Sequence, residues 1–180
     1  MPDAIEGAKI AILVANGSDE VETAVMLKVL EDARAAPVLV SVKKHEARGW
    51  RNTEWGGTFA VDVAILDADA EEFGGLLVPG GVIGADTLRA DAYAVDFVRN
   101  FLNQRKPVGT IGHAPWLLVE AGAVRGRRLT SIPAIRNDLI HAGGQWIDAP
   151  AVRDGRLVTG RTHHDLPEVV ARFVEAAILN

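Results

Sequence analysis

The sequence predicts an α/β fold: a mostly parallel sheet with helices on both faces. Three observations predict it. Near-continuous apolar runs of strand length recur through the first two thirds of the chain, as buried parallel strands do. Stretches with apolar residues at helical spacing alternate with those runs. No repeat, low-complexity tract or linker breaks the 180 residues, so one domain over 1–180 is expected. Right-handed crossovers follow from the alternation.

The elements read in order. "KIAILVANG" (Lys9–Gly17) is a buried strand, apolar almost throughout. "SDEVETAVMLKVLEDARAA" is a helix with Val21, Ala24, Val25, Val29, Leu30 and Ala33 on one face. "PVLVSV" (Pro37–Val42) is a second strand. "KKHEARGWRNTEWGGTFAVDVAI" reads as a polar loop feeding an edge hairpin, with Gly56 and Gly57 at its turn. "GGLLVPGG" (Gly74–Gly81) is a third buried strand ending in a glycine turn. "DTLRADAYAVDFVRNFLNQRK" reads as one amphipathic helix with Ala94, Val95, Val98, Phe101 and Leu102 inward. "PVGTIG" is the fourth core strand, and "APWLLVEAG" a helix stopped by Gly122. Beyond it come a short strand ("RLTSI"), a short helix ("PAIRNDLIHAGG") and an Asp-Gly pair in "QWIDAPAVRDGRLVTGR" that signals a hairpin. "DLPEVVARFVEAAILN" closes as a helix, with Asp165 suited to its cap and Pro167 to its first turn.

Composition excludes several functions. The formal net charge of −5 argues against a general nucleic-acid binder, which needs a basic face. No apolar run approaches a membrane span, and "MPDAIEGAK" has neither the basic nor the apolar region of a signal peptide, so a cytoplasmic location is expected. The chain has no cysteine, which removes disulfides, thiolate metal sites and thiol catalysis together.

In open α/β sheets, ligands lie beyond the carboxyl ends of the strands. "NGSDEVE", "PGGVIGAD" and "GHAPW" follow the first, third and fourth core strands and converge there. Each candidate has two readings. Glu22 stands three residues after Asp19, the spacing of a capping box in which Glu binds an orphan backbone N–H. His113 lies at a strand-to-helix elbow, where a structural and a functional histidine are both at home. Asp86 suits a helix cap. Gly80 and Gly81 permit a tight turn, or let backbone N–H groups face the site as an oxyanion hole. The helix beginning near Ala114 adds a positive dipole end.

Cofactor and metal readings are rejected. "PGGVIGAD" has GGxxG spacing, but no acidic residue is clearly placed about 20 positions on, as a dinucleotide site needs. His163 and His164 in "RTHHDLP" read as solvated surface, and Trp50, Trp55, Trp116 and Trp146 as packing.

The motifs "NGSDEVET", "GWRNTEWGGTF", "LLVPGG", "KPVGTIGHAPWLLVEAGAVRGRRLTS", "NDLIHAGGQWID" and "VRDGRLVTGRTHHDLP" stand in an order that covers nearly the whole chain. In them the sequence resembles the PfpI/ThiJ superfamily, intracellular-protease-like members of the class I glutamine amidotransferase-like fold. The nearest branch is that of the PfpI-type general stress proteins. The resemblance implies a flavodoxin-like three-layer sandwich that assembles as a homodimer, or as a hexamer of dimers. It implies peptidase, glyoxalase or deglycase chemistry on a peptide or small carbonyl compound, without cofactor or metal. It also implies an elbow cysteine followed by histidine, an acid against the thiol, and a second acid from the partner subunit that orients the histidine. Residue by residue, the thiol-contacting acid matches Glu22, the histidine His113 and the partner-borne acid Asp86. The oxyanion donors match the N–H groups of Gly81 and His113.

The nucleophile position falls on Gly112, where the chain departs from the family. Glycine supplies no attacking atom, and Thr110, two residues back along a strand, is too far to replace it. Covalent thiol catalysis is therefore expected to be absent. Three readings follow: a silent relative that keeps a pocket for a small carbonyl compound or anion, or only its vestige, and acts in stress protection through assembly; a glyoxalase, deglycase or hydrolase in which His113 activates water; or an active cysteine hydrolase whose nucleophile was deliberately substituted.

Overall fold

The computed structural model describes residues 5–178. Residues 1–4 and 179–180 lie outside them, and with them the first residues of "MPDAIEGAK", the last two of the closing helix expected from sequence and those parts of the domain expected over 1–180. The chain runs β1 (Lys9–Val14), α1 (Glu20–Asp32), β2 (Ala36–Ser41), β3 (Glu46–Arg51), β4 (Glu54–Ala60), β5 (Val63–Ala64), β6 (Gly75–Val78), α2 (Val82–Arg89), α3 (Ala92–Asn103), β7 (Val108–Ile111) and α4 (Pro115–Glu120). It continues with β8 (Arg128–Leu129), α5 (Arg136–His141), β9 (Gln145–Trp146), β10 (Ala151–Asp154), β11 (Leu157–Gly160) and α6 (Leu166–Ile178).

A seven-stranded sheet of order β10-β11-β7-β6-β1-β2-β5 forms the middle layer. Its neighbours are parallel except for the β10–β11 hairpin. Successive side chains of β1 point to opposite faces, and both faces are covered. Ala11 and Leu13 join a core beneath α2, α3, α4 and α5. Ile10, Ile12 and Val14 join a second core beneath α1 and α6, with Met26, Leu30, Val169 and Phe173. Burial on both sides is why β1 reads as one apolar run rather than an alternating one. This is the mostly parallel, helix-flanked architecture that the sequence predicts.

Several local expectations are corrected. Asp91 caps α3 by accepting from the Ala94 N–H (3.0 Å), so the single helix read after Gly81 is two, broken at Ala90–Asp91. The inward face of α1 is Glu22, Thr23, Met26 and Leu30, while Val21 and Ala24 are exposed. The hairpin turns at Asn52–Thr53, with Asn52 at φ +55°; Gly56 and Gly57 lie inside β4. That hairpin is a separate two-stranded sheet, and β5 forms the main sheet's edge instead. At the start of α6, Thr162 is the cap and Asp165 its reciprocal partner, forming a capping box over a short 3-10 turn. The Asp-Gly hairpin is as expected: Asp154 pairs with Leu157 around Gly155–Arg156.

Candidate functional site

Sheet order reverses around β1: α1 leads to β2 on one side, and the chain later returns to β6 on the other. A crevice opens at the carboxyl ends of the strands at such a switch point. Here it is a cavity of about 500 Å³ whose lining includes Glu22, Trp50, Gly81, Gly112, His113 and Arg161.

The first wall is the start of α1. Asp19 caps the helix by accepting from the Glu22 N–H at 2.9 Å. The reciprocal half of a capping box is not formed. The Glu22 carboxylate turns away and accepts from the Gly80 N–H at 2.5 Å, while the Asp19 N–H donates to the Gly80 carbonyl at 2.9 Å. The Glu22 side chain thus lines the cavity rather than closing a capping box, and Asp19–Glu22 is stitched to the loop after β6. Burial, with the Asp19 charge second, pushes the Glu22 carboxyl up to about 8 against the opposing Gly80 hydrogen bond. At neutral pH it is mostly protonated and has a proton to donate.

The second wall is that loop. Gly81 is the residue before α2, at φ +91°. A Cβ there would lie 2.5 Å from the Gly17 carbonyl oxygen and 2.7 Å from the Asp19 nitrogen, so the close approach of the two loops requires glycine. Among the described residues, the N–H groups of Gly81 and His113 have no hydrogen-bond partner. Both remain available as donors, the property an oxyanion hole needs.

The elbow lies between β7 and α4. Gly112 has φ +63°, its N–H donates to the Gly160 carbonyl and its carbonyl accepts from the Ile132 N–H, both at 3.1 Å. A Cβ here would meet Gly80 Cα at 3.5 Å, the Arg161 carbonyl at 3.8 Å and Glu22 Oε1 at 3.9 Å. These are ordinary contacts. The site has room for a side chain that points past Glu22, and the chain has none to put there. Thr110 is fully buried and does not line the cavity. α4 is only six residues long, so it makes a weaker dipole end than the sequence reading assigned it.

His113 is half-buried, and burial lowers its pKa, which keeps the imidazole neutral near pH 7. Its ring stands 5.3 Å from that of Trp116, centroid to centroid. Trp116 is fixed by its indole N–H to Asp138 (2.7 Å) and covered by Arg89 at 4.3 Å. Arg89 in turn pairs with Asp86 at 2.7 Å. Asp86 itself is mid-helix in α2 rather than at a cap, is largely exposed and lies outside the cavity lining.

Part of the lining carries no local signal in the sequence. Trp50 and Asn52 come from the β3–β4 hairpin, and Arg161, Thr162, His163 and His164 from the segment after β11. Arg161 is held by Asp165 (3.1 and 3.2 Å) and Asp148 (2.8 Å). His163 and His164 are exposed, as expected, but they form the cavity rim. The pattern of β11 beside β7 brings them there, and no local motif signals it. Among the described residues, no cluster of three His, Asp or Glu stands close enough to hold a metal, and no helix is long and apolar enough to cross a membrane.

Known proteins resemble this chain along nearly its whole length. The putative cysteine protease YraA of Bacillus subtilis is 36% identical over 158 residues, covering 88% of this chain and 91% of that protein. Deglycase PfpI of Pyrococcus furiosus is 34% identical over 167 residues, covering 93% and 98%. Among solved structures, a two-domain protein of Anabaena variabilis with DJ-1/ThiJ/PfpI-like and ferritin-like domains superposes with a TM-score of 0.87 at 28% identity, over 93% of this chain and 47% of that one. A ThiJ/PfpI domain protein from Brachyspira murdochii gives the same TM-score at 21% identity, over 95% and 96%. The model of the DJ-1/PfpI family matches residues 8–176. With nearly the whole chain matched by family, by relatives and by fold, this protein belongs to the DJ-1/PfpI family.

Proposed function

We propose that this chain is a cytoplasmic, homodimeric stress-protection protein of the PfpI type that keeps the family pocket as a non-covalent site for a small carbonyl compound or anion. The observation that carries the reading is Gly112. It occupies the elbow with its backbone held at both ends, and the cavity around it keeps a protonated Glu22, a neutral His113 and two free N–H donors. These groups suit a polarised carbonyl oxygen. None of them is the thiolate that would attack its carbon, so the deglycase and peptidase activities named for the relatives are lost as covalent chemistry.

A second reading has its own support. Burial keeps His113 unprotonated, as a general base must be. Water activated by His113 would then give slow glyoxalase or hydrolase turnover.

Methylglyoxal consumption and peptide-amide hydrolysis, measured on this chain, on His113→Ala and on Gly112→Cys, separate the two. Silence until cysteine is installed, together with saturable methylglyoxal binding by the starting chain, supports the non-covalent site. Turnover by the starting chain that disappears with His113 overturns it in favour of activated water.

A further inference from the structure

The strands that carry the candidate site at their carboxyl ends carry a second, chemically different cavity at their amino ends. β7 and β11 run parallel, with Val108 opposite Leu157. Gly112 and Arg161 follow them at one end. At the other end a cavity of about 240 Å³ is lined by Leu102, Arg105, Lys106, Arg127, Gly155, Arg156 and Leu157. Four of those residues are cationic and none is acidic, in a chain whose net charge is −5.

Separate stretches of sequence bring these charges together. Arg105 and Lys106 link α3 to β7, Arg127 precedes β8, and Arg156 is at the tip of the β10–β11 hairpin. The Val108 N–H donates to the Arg156 carbonyl at 3.0 Å, which ties that tip to the start of β7. Lys106 turns its ammonium to the carbonyls of Ala70 (2.7 Å) and Glu71 (3.2 Å) and over the Phe101 ring (5.8 Å), none of which lines the cavity, so the unpaired charge there is that of the three arginines. The guanidinium groups of Arg105, Arg127 and Arg156 have neither a salt bridge nor a hydrogen bond among the described residues, although Arg127 and Arg156 are half-buried. Elsewhere in the chain arginines pair readily, as Arg34, Arg51, Arg89, Arg99, Arg161 and Arg172 do. Like charges gathered in one concavity repel each other unless an anion joins them.

We propose that this cavity binds a small phosphate-bearing molecule. The planar fork of arginine matches a phosphate in two-point hydrogen bonds, and several cations around one space favour a doubly charged group over a carboxylate. The volume lies below the roughly 300 Å³ where drug-sized sites begin, which suits a phosphate or a short monoester. Leu102 and Leu157 supply apolar lining for a few carbon atoms of such an ester. Nothing in this assignment depends on the elbow or on what Gly112 does.

The test titrates the full chain with inorganic phosphate and with glycerol phosphate at constant ionic strength, with acetate as the singly charged control. Binding is read by phosphorus NMR line width and by the melting temperature. Saturable binding of phosphate, absent for acetate, is expected. Each of Arg127→Gln and Arg156→Gln should weaken it by about tenfold. Lys44→Gln, which removes an exposed cation elsewhere, should leave it unchanged. Arg127→Lys and Arg156→Lys keep the charge without the fork and should fall between, which guards against a Gln variant that folds poorly. Equal binding of both phosphates identifies the phosphate group alone as the ligand; tighter glycerol phosphate identifies an ester. Binding that is non-saturable, equal for acetate, or undiminished in the Arg127→Gln/Arg156→Gln double variant overturns the proposal.

Discussion

The Glu22 carboxyl accepts from the Gly80 N–H at 2.5 Å, and this contact joins the first turn of α1 to the loop after β6. It is also a contact made by a side chain that burial holds mostly protonated at neutral pH, with its value at about 8.

Glu22 therefore makes the fold sensitive to base. Its carboxyl rises from 4.5 to about 8 on folding, so the folded protein holds a proton that the unfolded chain releases. Stability from this group is fully present below pH 4.5 and is lost as pH rises through 8, by at most about 1.4 kcal/mol per pH unit. Glu22→Gln keeps an oxygen for the Gly80 N–H and removes the titration. Thermal unfolding from pH 5 to 9 should show a falling melting temperature for the starting chain and a flatter profile for the variant. Parallel profiles would remove Glu22 as the cause.

Gly112→Ala and Gly112→Cys should both destabilise, and by similar amounts. A Cβ meets nothing closer than 3.5 Å, so the cost lies in the backbone at φ +63° rather than in collision. The left-handed conformation costs a residue with a Cβ about 1–2 kcal/mol. For a chain of this size that lowers the melting temperature by a few degrees. A cysteine variant as stable as the starting chain would show that the elbow carries no strain.

Gly81→Ala should be far more damaging. Its Cβ would press on backbone atoms of Gly17 and Asp19 that cannot swing aside, and φ +91° adds strain. Together these cost about 3 kcal/mol or more. Denaturant unfolding is the direct measure, and a loss no greater than that of Gly112→Ala would count against the tight approach of the two loops.

Asp165→Ala removes the reciprocal half of the Thr162 capping box and frees Arg161 from one of its two anchors. The cap alone is worth about 1 kcal/mol. The loss should exceed that, and methylglyoxal binding should weaken as the cavity wall at Arg161 loosens. A stability loss without any change in binding would confine Asp165 to the cap.

The sheet was legible in the sequence because β1, β6 and β7 are buried on both faces and read as apolar runs. The inward face of α1 was not, because it begins with two polar residues: Glu22, Thr23, Met26 and Leu30 keep helical spacing on a face turned away from Val21 and Ala24. Asp91 did carry a cap signal, but the amphipathic pattern continues across it and hides the break. Glycine at 56 and 57 suggested a turn, whereas Asn52 and Thr53 make it. In the cavity, Glu22, Gly81, Gly112 and His113 were legible because each ends or begins an element at the strand ends. Trp50, Arg161 and His164 were not, because strand order in space brings them there.

The turn at Gly112 is held by its neighbours, through the carbonyl of Gly160 and the N–H of Ile132, and not by any side chain of its own. That makes the position a socket. A reactive group grafted there, whether a thiol, a selenol or a synthetic side chain, would arrive already aimed past Glu22 and beside two spare N–H donors. The scaffold can thus serve as a host for new covalent chemistry at the cost of a single strained residue.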